Sequence, residues 1–541
     1  MFQSLEIFRS TNSLFSSIHE HNQLLLLLIL TIIVIFFTKK TRPHSPSSPP
    51  LPPSPPKLPI IGNLHQLGLL PHRDLYRLAR IHGPLFLIHL GQTPTVVVSS
   101  SHVARQVMKT HDLIFSSRPN LQFANKLLYG KDVAFSPYGE YWRQVRRVAT
   151  LQLLSNSKVQ SFKPIREQET ALMIDRIRES CGGYCHESVT TSMSSSGCST
   201  STTVDFYEVL MSLTNDVVCR VALGEKYSLK REGRGFRELI REFLHVLGTF
   251  NVGDFVPWLA WVNHFNGLNA KAERVFRDLD CFLEKVIQDH VDRRQKEGVI
   301  GGGDDCDEDF VDVLLRIEKE ESLGVPFSRD NIKAIILDMF AAGTDTTFTA
   351  IDWTMAELIR HPQIMNQVQQ QMRQVIPPNT KLVTEDTLPK FHHLNMAIKE
   401  SLRIHPPIPL LVPRKTLKDV VIEGCHVPAN TRVIINAWAI GMDPHTWKDP
   451  HVFEPKRFDH DDENLIKISD LMAFGGGRRV CPGIEFAMGV VEVALANLLY
   501  HFDWEVPGGE ELEMSEGSGL TAHRRDHLIL LATPHACSLD I

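Results

Sequence analysis

Along the chain the rhythm of apolar and polar positions changes repeatedly, and each change predicts an element. Leu24 to Phe37 is apolar throughout except for Thr31, and Lys39, Lys40 and Arg42 follow it at once. As a helix this run spans about 21 Å, short against a hydrocarbon core of about 30 Å. A cleaved leader has an apolar region of similar length. Here the basic residues lie after the run, which orients the N-terminus outward and the main body into the cytosol. A proline tract then stands where a small-residue cleavage site is needed. A retained signal anchor is the better reading, with flanking residues snorkelling across the mismatch. It predicts a short lumenal N-terminus (1–23), an anchor helix (24–38), a basic, proline-rich hinge (39–59) and one large body (60–541). From Pro43 to Pro59 the proline density favours extended polyproline II, a semi-rigid spacer.

Within the body, Pro84 to Leu90 and Thr95 to Ser99 read as two strands with Gly91-Gln92 in the turn between them. His102 to Thr110 reads as helix. Residues 115–135 lack a clear period yet carry Phe115, Phe123, Leu127, Leu128, Tyr129 and Phe135, as a pocket-lining loop or a surface loop with buried anchors would. Phe236 to Phe265, rich in Phe, Leu and Trp, predicts two helices, either plain core or with tips touching a membrane and a pocket entrance. Ser328 to Arg360 predicts a helix of about 50 Å, capped by Ser328 and ended before Pro362. Lys390 to Ile404 is a further helix, whereas the prolines of His405 to Arg414 exclude one. Cys181 to Thr203 and 301–309 are polar insertions unfit for a core.

Composition narrows the class. A hydrophobic content of 43% supports a real core, and a formal net charge of -6 gives no reason to expect nucleic acid as a partner. Nine cysteines are scattered without a paired framework, as reduced thiols facing the cytosol would be. Cys181, Cys185, His186 and Cys198 have a faintly zinc-like spacing, but the serine tract around them offers nothing to orient metal ligands.

The chemistry concentrates in Phe474-Gly475-Gly476-Gly477-Arg478-Arg479-Val480-Cys481-Pro482-Gly483. Consecutive glycines permit positive φ and close approach to a flat ligand. Pro482 looks like a first helical position before the apolar run Ile484 to Phe502, so Cys481 falls at a helix N-terminus, which favours thiolate. Arg479 can reach an anion beside it. A buried inert cysteine after a glycine turn is the competing reading, but such a thiol needs neither three glycines nor two arginines.

With Phe474, Gly477, Arg479, Cys481 and Gly483 on its fixed positions, this stretch resembles the F-x-x-G-x-R-x-C-x-G haem-binding signature of the cytochrome P450 superfamily. Ala473 stands where plant members often carry proline, and Ile60-Ile61-Gly62-Asn63 resembles the start of the catalytic domain in plant microsomal, A-type haem-thiolate monooxygenases. The resemblance implies a mainly α fold with a smaller β part behind the anchor, haem b, and Cys481 as axial ligand to its iron. Trp142-Arg143-Gln144-Val145-Arg146 resembles the W-R-x-x-R motif; Trp142 and Arg146 share a helix face and, with Arg414, would meet the haem propionates. Arg143 and Arg147 are candidates for a basic patch that docks an electron donor. Ala341-Ala342-Gly343-Thr344-Asp345-Thr346-Thr347 breaks helix propensity where the family activates oxygen. Gly343 would open the groove for dioxygen and Asp345 and Thr346 would relay protons, against the alternative of threonines back-bonding in a core helix. Glu400 and Arg403 match E-x-x-R, which an ordinary exposed helix pair would also give; the resemblance adds Arg457 of Pro455-Lys456-Arg457-Phe458, in which Lys456 replaces the usual glutamate, and the three would be a structural lock. Phe123, Ala342, Leu410, Leu411, Val412 and Leu520 would line the substrate pocket.

The activity implied is insertion of one oxygen atom of O2 into a small apolar plant metabolite such as a terpenoid, phenylpropanoid, coumarin or oxime. Electrons would come from NADPH through a separate NADPH-cytochrome P450 reductase at the endoplasmic reticulum membrane, with the catalytic domain facing the cytosol. Two rivals are a reductase-independent haem-thiolate isomerase or dehydratase, which the intact Asp345-Thr346 pair disfavours, and a non-catalytic haem-binding protein, which needs no proton relay.

Overall fold

The structure, a computed structural model, describes residues 49–182, 201–227, 235–296, 308–321, 323–459, 471–509 and 511–535. Its contacts divide the chain into Met1–Pro50 and Leu51–Ile541. The anchor helix (24–38) and the Cys185, His186 and Cys198 of the zinc-like spacing lie outside the described residues.

The second unit is mainly helical with a smaller β part, as expected. Its larger sheet runs in the order β1-β2-β7-β4: β1 (Leu85–Leu90), β2 (Thr93–Val98), β7 (Arg432–Ile435) and the short β4 (Arg414–Lys415). The hairpin β1–β2 turns through Gly91 at φ +59, β7 lies parallel to β2, and β4 is antiparallel to β7. Alternation separates its faces. Leu85, Leu87, Val96, Val98, Val433 and Ile435 meet Met108 and Phe115 on one side. Phe86, Ile88, Val97 and Ile434 meet Leu75 of α1 (Pro71–His82) on the other. A three-stranded sheet joins β3 (Thr202–Asp205), β9 (Ile529–Pro534) and β8 (Phe502–Glu505), and β5 (Val420–Ile422) pairs with β6 (Cys425–Val427).

The last part of the expected hinge is already attached to this body. Leu87 N donates to the Pro53 carbonyl at 2.8 Å and Asn63 Nδ2 to that of Pro56 at 3.1 Å. Proline can accept at a sheet edge although it cannot donate.

Around the sheets the helices are α2 (Glu140–Val148), α3 (Lys163–Gly182), α4 (Phe206–Leu223), α5 (Phe236–Gly248), α6 (Leu268–Lys296), α7 (Phe310–Glu320), α8 (Arg329–Gly343), α9 (Asp345–Arg360), α10 (Pro362–Val375), α11 (His392–Ile404) and α12 (Ile484–His501). Among the described residues two helical stretches, Arg329–Arg360 and Ile484–His501, are long and apolar enough to cross a membrane; both are mostly buried, which is what central core helices require. Ser328 does cap α8, in a reciprocal box with Asn331. The long helix is interrupted at Thr344, where the weak formers predicted trouble. Phe236 to Phe265 yields one full helix and then short turns ending in Val262–Phe265, because Gly253 and Pro257 prevent a second long one. α12 starts at Ile484, so Pro482 is not its first residue.

Glu400 and Arg403 have wholly buried side chains and pair through two bonds of 2.7 Å. Arg403 also donates to the carbonyls of Gly441 (2.6 Å) and Pro450 (2.8 Å), while Glu400 accepts from Arg457 Nε (3.2 Å) and the Glu454 amide (2.9 Å). The pair thus fixes the irregular run 441–457 to α11.

A second buried lock holds the C-terminal segment to α1. Glu516 accepts from His72 Nε2 at 2.9 Å and Arg73 Nε at 2.8 Å. Burial raises the Glu516 carboxyl, but these two bonds outweigh it and bring the value from 4.5 down to about 2. A folded-state value below the unfolded one stabilises above pH 4.5 and is lost as pH falls towards 2. Glu516→Gln should lower the urea-unfolding free energy near neutrality by up to about 3 kcal/mol, with the difference from wild type closing as the titration is carried into acid.

Candidate active site

The cysteine loop is closed by its own backbone. Gly475 N donates to Met472 O, Val480 N to Gly477 O and Cys481 N to Phe474 O, each at 3.0 Å. Gly475 and Gly477 take φ of +69 and +66, where side chains are strained. The close approach at Gly477 is to protein: a Cβ there would overlap the Met108 carbonyl and the Asp112 carboxylate. Asp112 also accepts the Arg478 amide at 2.9 Å and pairs with its side chain at 3.0 Å, pinning the loop from behind. Gly483 has an ordinary φ of -100.

Cys481 lies deep in the body yet keeps part of its surface accessible, as a group lining an interior space does. Burial pushes its thiol up, opposed by a bond from the Gly483 amide and by the charge of Arg146. A metal cation on Sγ would settle that opposition in favour of thiolate.

Beside the loop, positive charge accumulates. Arg118, Arg414 and Arg479 are buried and Arg146 is half-buried. Desolvation, then the charges of Arg479, Arg414 and Arg146, hold Arg118 well below its usual range despite Asp132. Desolvation followed by Arg414 brings Arg479 down to about 9, and desolvation brings Arg414 to about 10. Arg479 donates to the carbonyls of Ser116 (2.7 Å), Ser136 (2.8 Å) and Val133 (3.2 Å) and lies 3.8 Å over the ring of Trp142. Trp142 Nε1 also goes to Val133 O, at 3.0 Å, and Arg146 Nη2 to Val480 O, at 2.6 Å. Arg414 Nη2 donates to Gly476 O at 2.6 Å, but its Nη1 is buried without a partner. Carbonyls satisfy donors without neutralising charge, so the cluster is suited to an anion with several carboxylates. Arg118 was invisible in the sequence: it sits in an aperiodic segment at no fixed spacing from any motif.

At the α8–α9 junction the Thr346 hydroxyl donates to the Ala342 carbonyl, while Asp345 Oδ2 accepts from Thr521 Oγ1. The acid and the alcohol expected to form a relay therefore have separate partners. Thr344 and Thr347 hydroxyls are buried and unpartnered. A Cβ on Gly343 would press on Val218 of α4 at 3.0 Å, so the contact its small size permits is helix to helix. Ala342 is exposed, between the half-buried Ala341 and Gly343.

A cavity of about 310 Å³ is lined by Phe123, Leu410, Leu411, Val412 and Leu520 among others; Ala342 is not in that lining. Leu411 has φ +51, a conformation leucine avoids, and its Cδ1 comes within 3.8 Å of a Cβ built on Gly475. The cavity thus adjoins the cysteine loop at Leu411 and the Asp345 partner Thr521 through Leu520.

The sequence profile described as Cytochrome P450 matches residues 52–531. The chain belongs to the cytochrome P450 family. It is similar to cytochrome P450 736A117 of Prunus mume, 49% identical over 88% of this chain and 89% of that one. Cytochrome P450 71A1 of Persea americana is 47% identical over 88% and 91%. A protein named 3-beta-hydroxylase, from Tanacetum parthenium, is 44% identical over 88% and 91%. As a cytochrome P450 the chain is a monooxygenase that uses haem b, a reductase partner supplying electrons from NAD(P)H, and a small-molecule substrate.

Haem fits these residues, since its two propionates suit the guanidinium cluster and the partnerless Arg414 Nη1. Arg414→Leu should accelerate haem transfer to an apoglobin acceptor about tenfold, the loss expected for one bond to a charged group.

Proposed function

We propose that Cys481 Sγ would hold the haem iron, with Arg118, Arg146, Arg414, Arg479 and Trp142 placed to hold the propionates and Phe474, Gly477 and Gly483 shaping the loop. The observation that carries this reading is the buried sulfur held by the Gly483 amide beside that guanidinium cluster. Bound there, haem supplies the iron that activates dioxygen. The chain's own part is to shield the sulfur from water, hold the propionates, keep the cavity apolar and move a proton between Asp345 Oδ2 and Thr346 Oγ1. Glu400, Arg403 and Arg457 act only on structure.

The substrate is a small, largely apolar plant secondary metabolite of terpenoid, phenylpropanoid, coumarin or oxime type, hydroxylated or similarly oxidised. The volume and lining of the cavity support this size and polarity. So do relatives named for hydroxylation and for oxidation of norfluorocurarine, the latter 43% identical.

The electron donor is NADPH-cytochrome P450 reductase on the endoplasmic reticulum membrane, with the chain anchored once through 24–38 and its catalytic domain in the cytosol. Exposed Phe250, Trp258, Trp261 and Phe265 support membrane apposition, as aromatic side chains favour the headgroup region. Exposed Ile60 and Ile61 lie near them: Gly91 N donates to Ile61 O at 3.2 Å and Gln92 N to Phe255 O at 2.9 Å.

The reduced protein with carbon monoxide should show a thiolate-type difference band, and reconstituted oxidation of a plant metabolite that displaces the haem water should require NADPH and reductase. Cys481→Ala should abolish both band and product; product formation without Cys481 would overturn the assignment.

A further inference from the structure

The bond that occupies Asp345 comes from the wall of the cavity. Gly517, Gly519, Leu520 and Ala522 line it, whereas the intervening Thr521 is buried and turned to α9. The turn is closed by Gly517 N donating to His523 O at 2.8 Å. Its two ends are fixed. Ala522 N donates to Pro407 O at 2.9 Å and Ala522 O accepts from Trp353 Nε1 at 2.7 Å. On the other side Glu516 is tied to His72 and Arg73. Leu520 also touches α5, since a Cβ on Gly248 would stand 3.2 Å from its Cβ. A molecule filling the cavity therefore bears on Leu520, next to the one side chain of the turn that is bonded to Asp345.

We propose that Thr521 is a substrate-sensitive latch, a positioning residue that holds Asp345 turned away from Thr346 until a molecule in the cavity displaces the turn. The inference rests on the haem-thiolate reading above. The bond acts on charge as well as position. A hydroxyl donating to a carboxylate favours its ionised form. Burial pushes Asp345 up, and Thr521 and the neighbouring His523 oppose it. Tyr207 of α4, itself bonded to Arg241 of α5, also faces Asp345. Breaking the latch thus gives a carboxyl that binds a proton more readily and is free to pass it to Thr346 Oγ1.

The benefit is in the fate of oxygen. Productive turnover takes O2, NADPH, one proton and the substrate C–H, and returns the hydroxylated product, water and NADP⁺. The leak takes the same O2, NADPH and proton and returns hydrogen peroxide and NADP⁺. A proton withheld until the cavity is filled disfavours turnover without substrate.

Two measurements on the full-length holoenzyme test the latch without any substrate. In the first, chemically reduced protein is mixed with dioxygen and its return to the ferric spectrum is timed. Thr521→Val should speed the return at least threefold, Thr521→Ser should restore the wild-type rate, and Leu520→Trp, which fills the cavity from its own wall, should behave like Thr521→Val. In the second, infrared titration identifies the Asp345 carboxyl by its absence in Asp345→Asn. Thr521→Val should shift its midpoint up by about one pH unit. If Thr521→Val does not retain haem, Thr521→Cys, a weaker donor of similar volume, carries both tests. A wild-type return rate with an unshifted carboxyl, or a serine variant indistinguishable from valine, overturns the latch. Absence of a thiolate-type carbon monoxide band in the wild type overturns the underlying reading instead, and the infrared arm still decides whether the bond exists.

Discussion

Positive charge packed beside the cysteine loop organises this half of the molecule. Arg118, Arg146, Arg414 and Arg479 depress one another's basicity or suffer desolvation, with Asp132 and Asp112 as acidic neighbours. Their N–H groups are distributed over main-chain carbonyls at 116, 133, 134, 136, 412, 413, 476 and 480. Segments that form no long helix or strand are therefore fixed by guanidinium groups. That is how the irregular backbone on either side of the short helix Gln122–Leu127 is held, its acceptors at 116, 133, 134 and 136 satisfied from side chains.

The same region is held from the opposite side by acids. Asp338 of α8 accepts the amides of Val133 (2.6 Å) and Ala134 (3.3 Å), and Asp132 accepts that of Phe135 at 2.5 Å. One short turn consequently offers its carbonyls to arginines and its amides to carboxylates. Burial pushes Asp338 strongly upward, and the charge of the nearby Asp132 adds to this. Through that turn α8, which ends at Gly343, is mechanically joined to the arginines beside the cysteine loop.

What could be read from the sequence had either a period or a fixed spacing. The β1–β2 hairpin, the capped start of α8, the E-x-x-R pair and the cysteine loop all announce themselves through neighbours in the chain. Arg118 and Thr521 do not, because their roles arise from contacts with residues 294 and 176 positions away. Gly477 shows a subtler limit. The need for glycine was legible, but its physical cause, the Met108 carbonyl and Asp112 on the next element, was not. The Pro53 and Pro56 carbonyls show another limit, since proline-rich sequence says nothing about whether its carbonyls find donors.

That last contact bears on how the protein can be cut. The Pro53 carbonyl completes the edge of β1, and the Pro56 carbonyl holds Asn63, whose own Oδ1 takes the His89 amide at 2.8 Å. Leader exchange or solubilisation therefore has its natural junction upstream of Leu51. A splice placed at Ile60 would strip the first strand of a partner and loosen the corner from which Gly62 and Gly91 approach each other, leaving an unpaired edge open to self-association.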